Sequence, residues 1–297
     1  MPRVSIGLPV YNGERYLKES LDSILSQTYE HFELIISDNA STDHTQEVCQ
    51  EYANKDQRIK YFRNQKNLGA AKNYNRVFKL STGKYFKWAA HDDVIAPIYL
   101  ERCVEIFDQE SDIVLSFPRI AYIDERGKIF QSQQCDFNLH ANSTVARVHR
   151  LVNYQINSDD IYWAIFGLIR SDALRKTQLI GRYVASDQVL LMQLQLLGKF
   201  YQVPELLYFR RDHSLTSTRE HQTPKSRLSW FDPNIQKKIV LPNWTLFFKH
   251  LASVRRTKLE IFEKISCYYE VFRRFAYKWR TLGGELKFVP EQMAEKT

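Results

Sequence analysis

The sequence has few of the residues and runs that mark several large classes of protein. Its 297 residues include only 10 glycines and 9 prolines, which argues against a collagenous or low-complexity chain. It has no tract of eighteen uncharged apolar residues and no basic start followed by an apolar run, so neither a membrane span nor a secretory signal is predicted. We therefore expect a cytoplasmic protein. Its four cysteines lack the paired spacing of a zinc or redox site, and we expect them to be reduced and mostly buried: Cys49, Cys103, Cys135 and Cys267.

The motifs of four common enzyme classes are missing as well. There is no GxGxxG after the first predicted strand, no GxxxxGK[ST], no GxSxG and no HExxH. A Rossmann dinucleotide site, a Walker-type nucleotide site, a hydrolase nucleophile elbow and a zinc protease helix are therefore not supported. With 44% apolar residues, the chain can still bury a sizeable core as one large domain or two modest ones.

Positive charge is concentrated late in the chain. The net charge is +8, yet residues 1–218 contain 26 basic and 26 acidic residues, whereas residues 219–280 contain 14 basic and 5 acidic ones. This distribution predicts a near-neutral catalytic or binding body that carries a basic extension.

Short extended runs alternate with helical patterns through the first third of the sequence. Predicted strands at 4–8, 32–37, 59–63 and 85–89 are separated by helices, which is typical of an open α/β sheet with parallel crossovers. Such sheets bind ligands at the carboxyl ends of their strands. Polar residues follow three of these ends: Tyr11 and Asn12, then Asp38, then Asp92 and Asp93. The pattern predicts a nucleotide-sized site built from separate loops.

Beyond residue 110 the periodicity is weaker. The pattern predicts strands at 112–117, 120–123, 161–169 and 200–207, a hairpin turn at 124–127, a polar excursion over 131–160 and a helix over 188–197. Mostly helical structure is predicted from Pro224 onward.

In the first third, Asp43 and Gln46 have the offset of a capping box at the start of a helix.

The Asp92-Asp93 pair is a candidate metal site. A nucleotide diphosphate bound without a P-loop needs another positive charge, and the usual one is a divalent metal held by carboxylates. The pair follows an apolar strand and precedes the helix that starts near Pro97. Mg²⁺ or Mn²⁺ would take one or two carboxylates and keep its other positions for water and phosphate oxygens. Alternatively, one of the two aspartates only caps the following helix.

Five short segments occur in a characteristic order and spacing. They are Pro9-Val10-Tyr11-Asn12, Asp38-Asn39-Ala40-Ser41-Thr42-Asp43, Asn67-Leu68-Gly69, Thr82-Gly83-Lys84-Tyr85 and His91-Asp92-Asp93-Val94. In this order the sequence closely resembles the family 2 inverting glycosyltransferases, over about residues 3–100 and in patches to about 218. The resemblance implies a GT-A α/β fold, with an open, mostly parallel sheet flanked by helices and followed by a C-terminal basic helical extension.

The same resemblance divides the chain and assigns roles. Residues 1–218 would form the GT-A domain, with a nucleotide-binding half at 1–110 and an acceptor-side half at 111–218, and residues 219–297 would form the extension. Asp38 would accept a hydrogen bond from the imide N–H of uracil. Asp93 would bind the metal, and Asp92 would face the ribose or donor sugar close to it. The other residues placed against the donor are Pro9, Tyr11, Asn12, Glu14, Asn67 and Gly69. Several have ordinary alternatives, such as a core aromatic for Tyr11, a turn former for Asp38 and a helix start for Gly69.

Two positions depart from the family pattern. The family often has a further aspartate two positions before Asp92, where this chain has Ala90, so the metal would have fewer protein ligands. The family's Ala-Arg-Asn is replaced by Asn73-Tyr74-Asn75. This leaves Lys72 or Arg76 as the cationic neighbour of the diphosphate.

An inverting transfer needs a group that takes the proton of the attacking hydroxyl. Asp187 stands where the family usually has Glu-Asp, with Ser186 in place of the glutamate, and is the predicted base. Its alternative interpretation is the N-cap of the helix over 188–197. The pair Asp159-Asp160 is a second candidate base, with a solvated turn as its ordinary interpretation.

A cationic segment near the end of the main body resembles the family's late Arg-x-His region. The resemblance implies that His213 can reach the metal or the diphosphate. The alternative interpretation is that His213 is an exposed histidine in a loop. Arg210 and Arg211 could offset phosphate charge.

The basic extension has three interpretations. Its aromatic residues could pack on the main domain, residues 219–280 could attach to an anionic membrane surface, or the segment could bind nucleic acid. Lys and Arg attract lipid headgroups while Trp, Tyr and Phe enter the interface, which favours the membrane. No recognised nucleic-acid module accompanies the charge.

The sequence therefore predicts a metal-dependent inverting glycosyltransferase that uses Mn²⁺ or Mg²⁺. It would move a hexosyl or N-acetylhexosaminyl group from a nucleotide-diphosphate donor, expected to be a UDP-sugar, to a hydroxyl of a glycan or lipid-linked acceptor. The setting would be cell-envelope polysaccharide synthesis at the inner face of the membrane. The processive signature QxxRW is absent, which favours transfer of one sugar at a time.

Two other functions are compatible with parts of the pattern. Ala90 and Ser186 point to a nucleotide-sugar-binding protein without transfer activity, acting as a scaffold or regulatory partner. A sugar-phosphate nucleotidyltransferase has a similar sheet but should carry an N-terminal glycine-rich loop with Arg, which is missing here.

Overall fold

The computed structural model describes residues 2–133, 136–235 and 239–287. Its first half has the predicted alternation of strands and helices, and each main strand coincides with an apolar run. The elements are β1 Val4–Val10, α1 Leu17–Leu25, β2 Phe32–Asp38, α2 Thr45–Lys55, β3 Ile59–Arg63, α3 Ala70–Lys79, β4 Tyr85–Trp88, β5 Val94–Ile95 and α4 Tyr99–Gln109.

The second half differs more from the sequence pattern. Its elements are β6 Ile113–Ile123, β7 Ile129–Ser132, α5 Thr144–Asn157, a 3₁₀ helix Asp160–Phe166, β8 Leu168–Arg170, α6 Ser171–Arg175, α7 Ser186–Leu197 and β9 Lys199–Arg211. The two strands predicted over 112–123 are one strand, since β6 keeps pairing with β9 through a register shift at Pro118, which absorbs the missing N–H. The predicted strand over 161–169 is wrong in its first part, because a short apolar run does not separate a strand from a helix.

Two predictions about loops and caps also change. The polar excursion over 131–160 contains α5, which begins after an N-cap serine, Ser143. The capping box at Asp43 and Gln46 is wrong, because His44 occupies the N-cap position of α2 without a side-chain cap. Asp43 instead accepts the backbone N–H of Thr45 at 3.1 Å. The hairpin turn at 124–127 is confirmed by the antiparallel pairing of β6 with β7.

The described strands form one mixed sheet in the order β3-β2-β1-β4-β8-β6-β9-β5, with β7 paired to β6. Pairing is parallel from β3 through β2 and β1 to β4 and between β6 and β9. It is antiparallel around β8, at β5 and at β7. The parallel part is the one that the sequence alternation predicted, and it brings the ends of β1, β2, β3 and β4 to one edge.

The basic extension is helical and packs on the main body. Its helices are α8 Ser217–Glu220, α9 Pro224–Phe231, α10 Pro242–Arg256, α11 Ile261–Tyr277 and α12 Trp279–Lys287. Helix α11 packs on α5, and α10 packs on α7. Val254, Val271 and Phe275 of the extension share one buried cluster with Val148 and Leu190 of the main body, as the packing interpretation requires.

Three of the four cysteines lie in the described part of the chain. Cys49, Cys103 and Cys267 are buried free thiols, whereas Cys135 lies outside the described residues. Among the residues that the structure describes, no helix has the length and apolar content that a bilayer crossing requires.

Candidate active site

The loop after β1 is tied to the loop after β2. Asn12 lies in the left-handed region with φ of 52°, which a short polar side chain tolerates, and its side-chain oxygen accepts the N–H of Thr42 at 2.9 Å. Glu14 accepts the N–H of His44 at 2.9 Å. Asn12 and Glu14, both predicted to bind the sugar donor, therefore hold these two loops together. Tyr11 is 44% exposed, so the interpretation as a core aromatic is wrong.

Asp38 is fully buried at the end of β2. Its carboxylate accepts the N–H of Ser41 at 2.8 Å, the Tyr61 hydroxyl at 2.9 Å and the guanidinium of Arg63. The sequence predicted that Asp38 accepts the imide N–H of uracil. A carboxylate has about four acceptor sites, so these three donors leave one for a nucleobase, and the full burial of Asp38 restricts access to it. Arg63 is a site residue that our sequence reasoning missed, although it ends β3 at the ligand-binding edge and that position alone could have indicated it.

Asparagine side chains connect the ends of β2 and β3 to the start of α3. Asn39 donates to the Asn67 side-chain oxygen at 2.8 Å, and that oxygen also accepts the N–H of Gly69 at 2.8 Å. Gly69 has φ of 83°, and a Cβ there would lie 2.6 Å from the carbonyl oxygen of Phe231 and 2.6 Å from Cδ of Pro233. The close backbone approach at Gly69 is thus made by residues 231–233 of the extension, where the resemblance implied a nucleotide.

Lys72 also faces the extension. Its Nζ lies 3.9 Å from the Asp232 carboxylate, and Arg182 donates to the same carboxylate at 3.1 Å. Burial opposes ionisation of Asp232, but hydrogen bonds from Asn234 and Arg182 outweigh burial and lower its pKa. The predicted role of Lys72 beside the diphosphate is therefore corrected to an ion pair with a buried aspartate.

Asp92 and His213 meet just beyond β4. The Asp92 carboxylate lies 2.9 Å from Nε2 of His213, whose side chain is only 3% exposed, so the exposed-loop interpretation of His213 is wrong. Nδ1 of His213 accepts the N–H of Leu215 at 3.2 Å, which places the ring proton of a neutral imidazole on Nε2, directed at Asp92. Burial opposes ionisation of Asp92, but His91 and His213 together hold its pKa below the ordinary value. Asp92 is therefore the anion of this pair.

Asp93 is turned inward. Its two oxygens accept the Tyr208 hydroxyl and the N–H of Arg211, and burial together with the charge of Asp92 raises its pKa. A carboxylate used in this way by internal donors is poorly suited to bind a metal. The predicted assignment of the metal to Asp93 is therefore not supported by the geometry, which favours Asp92 and His213.

Arg211 is a structural cation. It is buried, donates to the carbonyl oxygen of Asp92 at 3.0 Å and to that of Asp124 at 3.1 Å, and pairs with Glu19 at 2.6 Å. Its predicted role in offsetting phosphate charge is therefore corrected, because its side chain is 1% exposed and faces these internal partners.

Arg210 has a different environment. Its guanidinium lies 4.1 Å from the centre of the Trp163 ring, and no carboxylate of the described residues is within ion-pair distance of it. It remains a candidate for contact with phosphate. Asp160 is, with Asp159, the second candidate for the catalytic base. It accepts the Tyr122 hydroxyl at 2.6 Å and so holds that side chain in place.

Asp187 lies in the first turn of α7. The N-cap position belongs to Ala185, which has φ of 58° and makes no side-chain cap, so the interpretation of Asp187 as the N-cap is wrong. Burial raises the pKa of Asp187, while backbone N–H groups of its own turn and the charge of Arg274 act against that shift. A raised carboxylate pKa suits a base that works near neutral pH.

The extension anchors the start of α7 through Arg274. Nδ1 of His250 lies 2.7 Å from the Leu246 carbonyl oxygen and donates to it, so Nε2 is free to accept from Arg274 at 2.6 Å. Arg274 also donates to Gln188 at 2.6 Å, the residue after Asp187. No pattern in the sequence indicates this contact, because an arginine that will be buried looks the same in a basic segment as its solvated neighbours.

Tyr74 connects the parts of the site. Burial raises the pKa of its hydroxyl, and the charges of Asp92, Asp93 and Asp187 raise it further. All three carboxylates are therefore within electrostatic reach of one phenol. The sequence marked Tyr74 only as a departure from the family pattern, whereas in the tertiary structure the charges of all three carboxylates act on its hydroxyl.

Asp92 and His213 would supply two ligands to one divalent metal. A carboxylate oxygen of Asp92 and Nε2 of His213 lie 2.9 Å apart. Nε2 would bind the metal once its proton moved to Nδ1, which would then give up the N–H of Leu215. Among the described residues no group of three or more His, Cys, Asp or Glu side chains could hold a metal. Two protein ligands suit an ion such as Mg²⁺ or Mn²⁺ that takes its remaining ligands from phosphate oxygens and water.

A comparison with protein families decides the relationship that the geometry suggests. Glycosyl transferase family 2 matches residues 5–181, from β1 to just beyond α6. The chain belongs to glycosyl transferase family 2. The family 2 match includes the loops at the strand ends, Asp92 and Asp93, whereas Asp187 and His213 lie after it.

Curated relatives agree with this family. An uncharacterized glycosyltransferase of Methanocaldococcus jannaschii is 36% identical over 132 residues, which cover 44% of this chain and 46% of that protein. An uncharacterized glycosyltransferase of Haemophilus influenzae is 37% identical over 112 residues, covering 38% of this chain and 35% of that protein. The matched region thus spans less than half of these relatives.

Solved structures share the GT-A fold with this family 2 protein. TarS of S. aureus, residues 1–349 in complex with UDP, has a TM-score of 0.66 at 18% identity and covers 92% of this chain and 71% of that chain. The mannosyltransferase PcManGT of Pyrobaculum calidifontis, in complex with GDP-Man and Mn²⁺, has a TM-score of 0.60 at 15% identity and covers 100% and 76%.

Proposed function

We propose that this family 2 protein is an inverting glycosyltransferase that moves one sugar from a nucleotide-diphosphate donor to a hydroxyl group. The observation that carries the proposal is the family 2 match over residues 5–181 together with the meeting of Asp92 and His213 beyond β4, 2.9 Å apart. These side chains suit a diphosphate and its metal, and Asp187 in the first turn of α7 is a half-buried carboxylate suited to act as a base.

The donor is proposed to be a UDP-sugar carrying a hexosyl or N-acetylhexosaminyl group. The exposed Tyr11 ring offers a face on which the nucleobase could stack. Arg210 has no carboxylate partner in the described part of the chain, so its charge is available to the diphosphate. Structures of TarS with UDP and UDP-GlcNAc are consistent with this choice, and the GDP-Man complex of PcManGT makes GDP-Man the alternative donor in the test. Asp92 and His213 would hold Mn²⁺ or Mg²⁺, which supplies positive charge to the departing diphosphate.

Asp187 is the proposed base. It takes the proton of the acceptor hydroxyl while the acceptor oxygen bonds to the anomeric carbon. The bond from that carbon to the diphosphate breaks on the opposite face, and the diphosphate leaves with the electron pair. Burial raises the pKa of Asp187, which increases its proton affinity at the moment of transfer.

The acceptor is proposed to be a glycan or a lipid-linked sugar of the cell envelope, handled at the inner face of the membrane. In this proposal residues 1–110 bind the nucleotide and residues 111–218 form the acceptor side. The helices of 219–287 support the acceptor side, because α10 and α11 pack on α7 and α5.

The test compares Asp187→Asn with Asp159→Asn. Asp159 is exposed and belongs to Asp159-Asp160, the second candidate for the catalytic base, so the same change there is a matched control. A calorimetric screen with Mn²⁺ first identifies the nucleotide sugar that binds, expected to carry UDP. We expect Asp187→Asn to lower transfer by about 100-fold or more while donor binding is retained, because a positioned base contributes about that much. Asp159→Asn should transfer normally.

A reversed result, in which Asp159→Asn loses transfer and Asp187→Asn keeps it, would remove Asp187 from the role of base. UDP binding without turnover on a broad panel of donors and acceptors would favour the second function, a nucleotide-sugar-binding protein without transfer. That function is supported by the two-ligand metal corner that Ala90 leaves.

A further inference from the structure

Helix α11 exposes an apolar face on the side opposite its buried residues. The exposed side chains on it are Ile261, Phe262, Ile265, Tyr269 and Phe272, from 54% exposed at Phe272 to 80% at Phe262. With about 3.6 residues per turn these positions share one arc about 100° wide, and no charged residue lies in that arc. A helix packed on a protein surface normally shows a polar face there.

The opposite side of α11 is the one that is buried. Cys267, Val271 and Phe275 lie in the cluster shared with the main body. Phe248 of α10 is also exposed, and it extends the patch because its ring lies 5.3 Å from that of Phe247, which lies 5.4 Å from Phe272. We call Phe248 and the five exposed residues the α11 face. A contiguous exposed patch of this kind marks an interaction site, whereas scattered apolar residues do not.

The charge around the α11 face is one-sided. Residues 239–287 contain 10 Lys and Arg but only 4 Glu, and all four glutamates have internal partners. Glu270 pairs with Arg273 and His149, Glu285 accepts the N–H of Asn243, and Glu260 and Glu263 form the capping box of α11. Most of the cations, by contrast, have no carboxylate within ion-pair distance in the described part of the chain: Lys249, Arg255, Arg256, Lys258, Lys264, Lys278, Arg280 and Lys287.

We propose that the α11 face docks the protein on a membrane surface that contains anionic lipids. Ile and Phe side chains enter the acyl boundary, and the rings of Tyr269 and the exposed Trp279 suit the headgroup level, where one side of a ring is apolar and the other is wet. The unpaired cations attract anionic headgroups. This proposal goes beyond the transfer reaction and is tested without donor or acceptor.

Charge also decides against a second copy of the chain as the occupant. A two-fold interface places the same patch on both partners. Such an interface would bring together two patches that each carry an excess of cations, among them Arg255, Arg256 and Lys258, and like charges oppose association. An anionic surface has the complementary charge.

The experiment is vesicle flotation of the full chain. We expect it to float with vesicles of phosphatidylcholine mixed with phosphatidylglycerol, to float poorly with phosphatidylcholine alone, and to lose binding as salt is raised. The triple variant Phe262→Ser, Ile265→Ser, Phe272→Ser should bind at least about tenfold more weakly, since it removes most of the apolar area that enters the interface. The control Ile129→Ser, Phe130→Ser changes two exposed apolar residues of β7 and should float like the unchanged chain.

A second variant separates the charge from the apolar contact. Arg255→Gln, Arg256→Gln, Lys258→Gln should weaken binding to the mixed vesicles by about fivefold per cation. The matched neutralisation of Lys66, Lys79 and Lys84 should have little effect, since these exposed lysines of the main body also have no carboxylate within ion-pair distance in the described residues. Thermal unfolding of each variant confirms that it is folded.

Two outcomes would overturn the proposal. One is flotation of the triple serine variant at the level of the unchanged chain. The other is a lipid-free dimer of the unchanged chain that the triple variant converts to monomer, which would make the α11 face a subunit interface. A chain that floats as expected but binds no nucleotide sugar would instead contradict the proposed function and leave the docking surface standing.

Discussion

Asp92 and Asp93 are adjacent in the sequence, yet their surroundings give them opposite properties. His91 and His213 lower the pKa of Asp92, whereas burial and the charge of Asp92 raise the pKa of Asp93. Two carboxylates this close do not ionise equally easily, because the second charge is added in the field of the first. Asp92 therefore carries the charge that faces His213, and Asp93 holds Tyr208 and the backbone of Arg211 in place.

Arg274 is predicted to lower the pKa of Asp187 against the larger effect of burial. Burial raises the pKa of Asp187 and the charge of Arg274 lowers it, so removing that charge favours the protonated form and raises the pKa further. The base works only when deprotonated, so we expect Arg274→Gln to move the acidic limb of the kcat profile to higher pH. The measurement is kcat as a function of pH with saturating donor.

Two further variants separate charge from packing. Arg274→Lys keeps a positive charge and should restore the limb towards its original position, and Arg273→Gln removes a neighbouring charge that pairs with Glu270 and should leave the limb in place. A uniform loss of kcat at every pH in Arg274→Gln would show that Arg274 only supports the fold.

At the scale of elements, the start of α3 packs closely against residues 231–233 of the extension. Gly69 is the N-cap of α3 with φ of 83°, and residues 231–233 lie too close for a Cβ. We expect Gly69→Ala to lower the free energy of unfolding by at least about 1 kcal/mol, because a residue with a Cβ is strained in the left-handed region and must also push the 231–233 segment away. Urea unfolding measures this change.

The control is a glycine in a helix that has open space around it. A Cβ added at Gly283 of α12 would have no atom within 4 Å, so Gly283→Ala should be neutral or should stabilise the protein by about 0.5 to 1 kcal/mol. Equal effects of the two substitutions would mean that the contact between α3 and residues 231–233 has no energetic weight.

At the scale of the whole molecule, the extension is part of the core. Phe275 of α11 is buried in the cluster that contains Val148 of α5, whereas Phe272 on the same helix is 54% exposed. We expect Phe275→Ala to cost about 3 to 5 kcal/mol of unfolding free energy, the usual cost of removing a buried phenylalanine. Phe272→Ala should change it by no more than about 0.5 kcal/mol.

Both variants are measured by urea unfolding, with vesicle flotation as a second readout. The order should reverse there, since Phe272 and not Phe275 belongs to the α11 face. Unfolding of residues 219–287 in a separate, earlier transition would contradict the shared core and support an independent extension.

Several features followed from the sequence because they depend on local pattern. Apolar runs such as Phe32 to Ser37 predict strands, and the helical spacing after Gly69 predicts α3, since each of these elements buries one continuous set of side chains. The second half was predicted less well. Residues 161–166 form a 3₁₀ helix, and an apolar run of that length is compatible with either strand or helix until its neighbours are known.

The sequence by itself determined the α/β alternation, the polar strand ends and the family, because these depend on residue types at fixed spacing. Only the tertiary structure decided how the polar residues are used. Burial and internal donors commit Asp38, Asp93 and Arg211 to structural contacts, while contacts between residues far apart in the chain bring His213 to Asp92 and Arg274 close to Asp187. Which partner a charged side chain meets is a property of packing, and local sequence does not encode it.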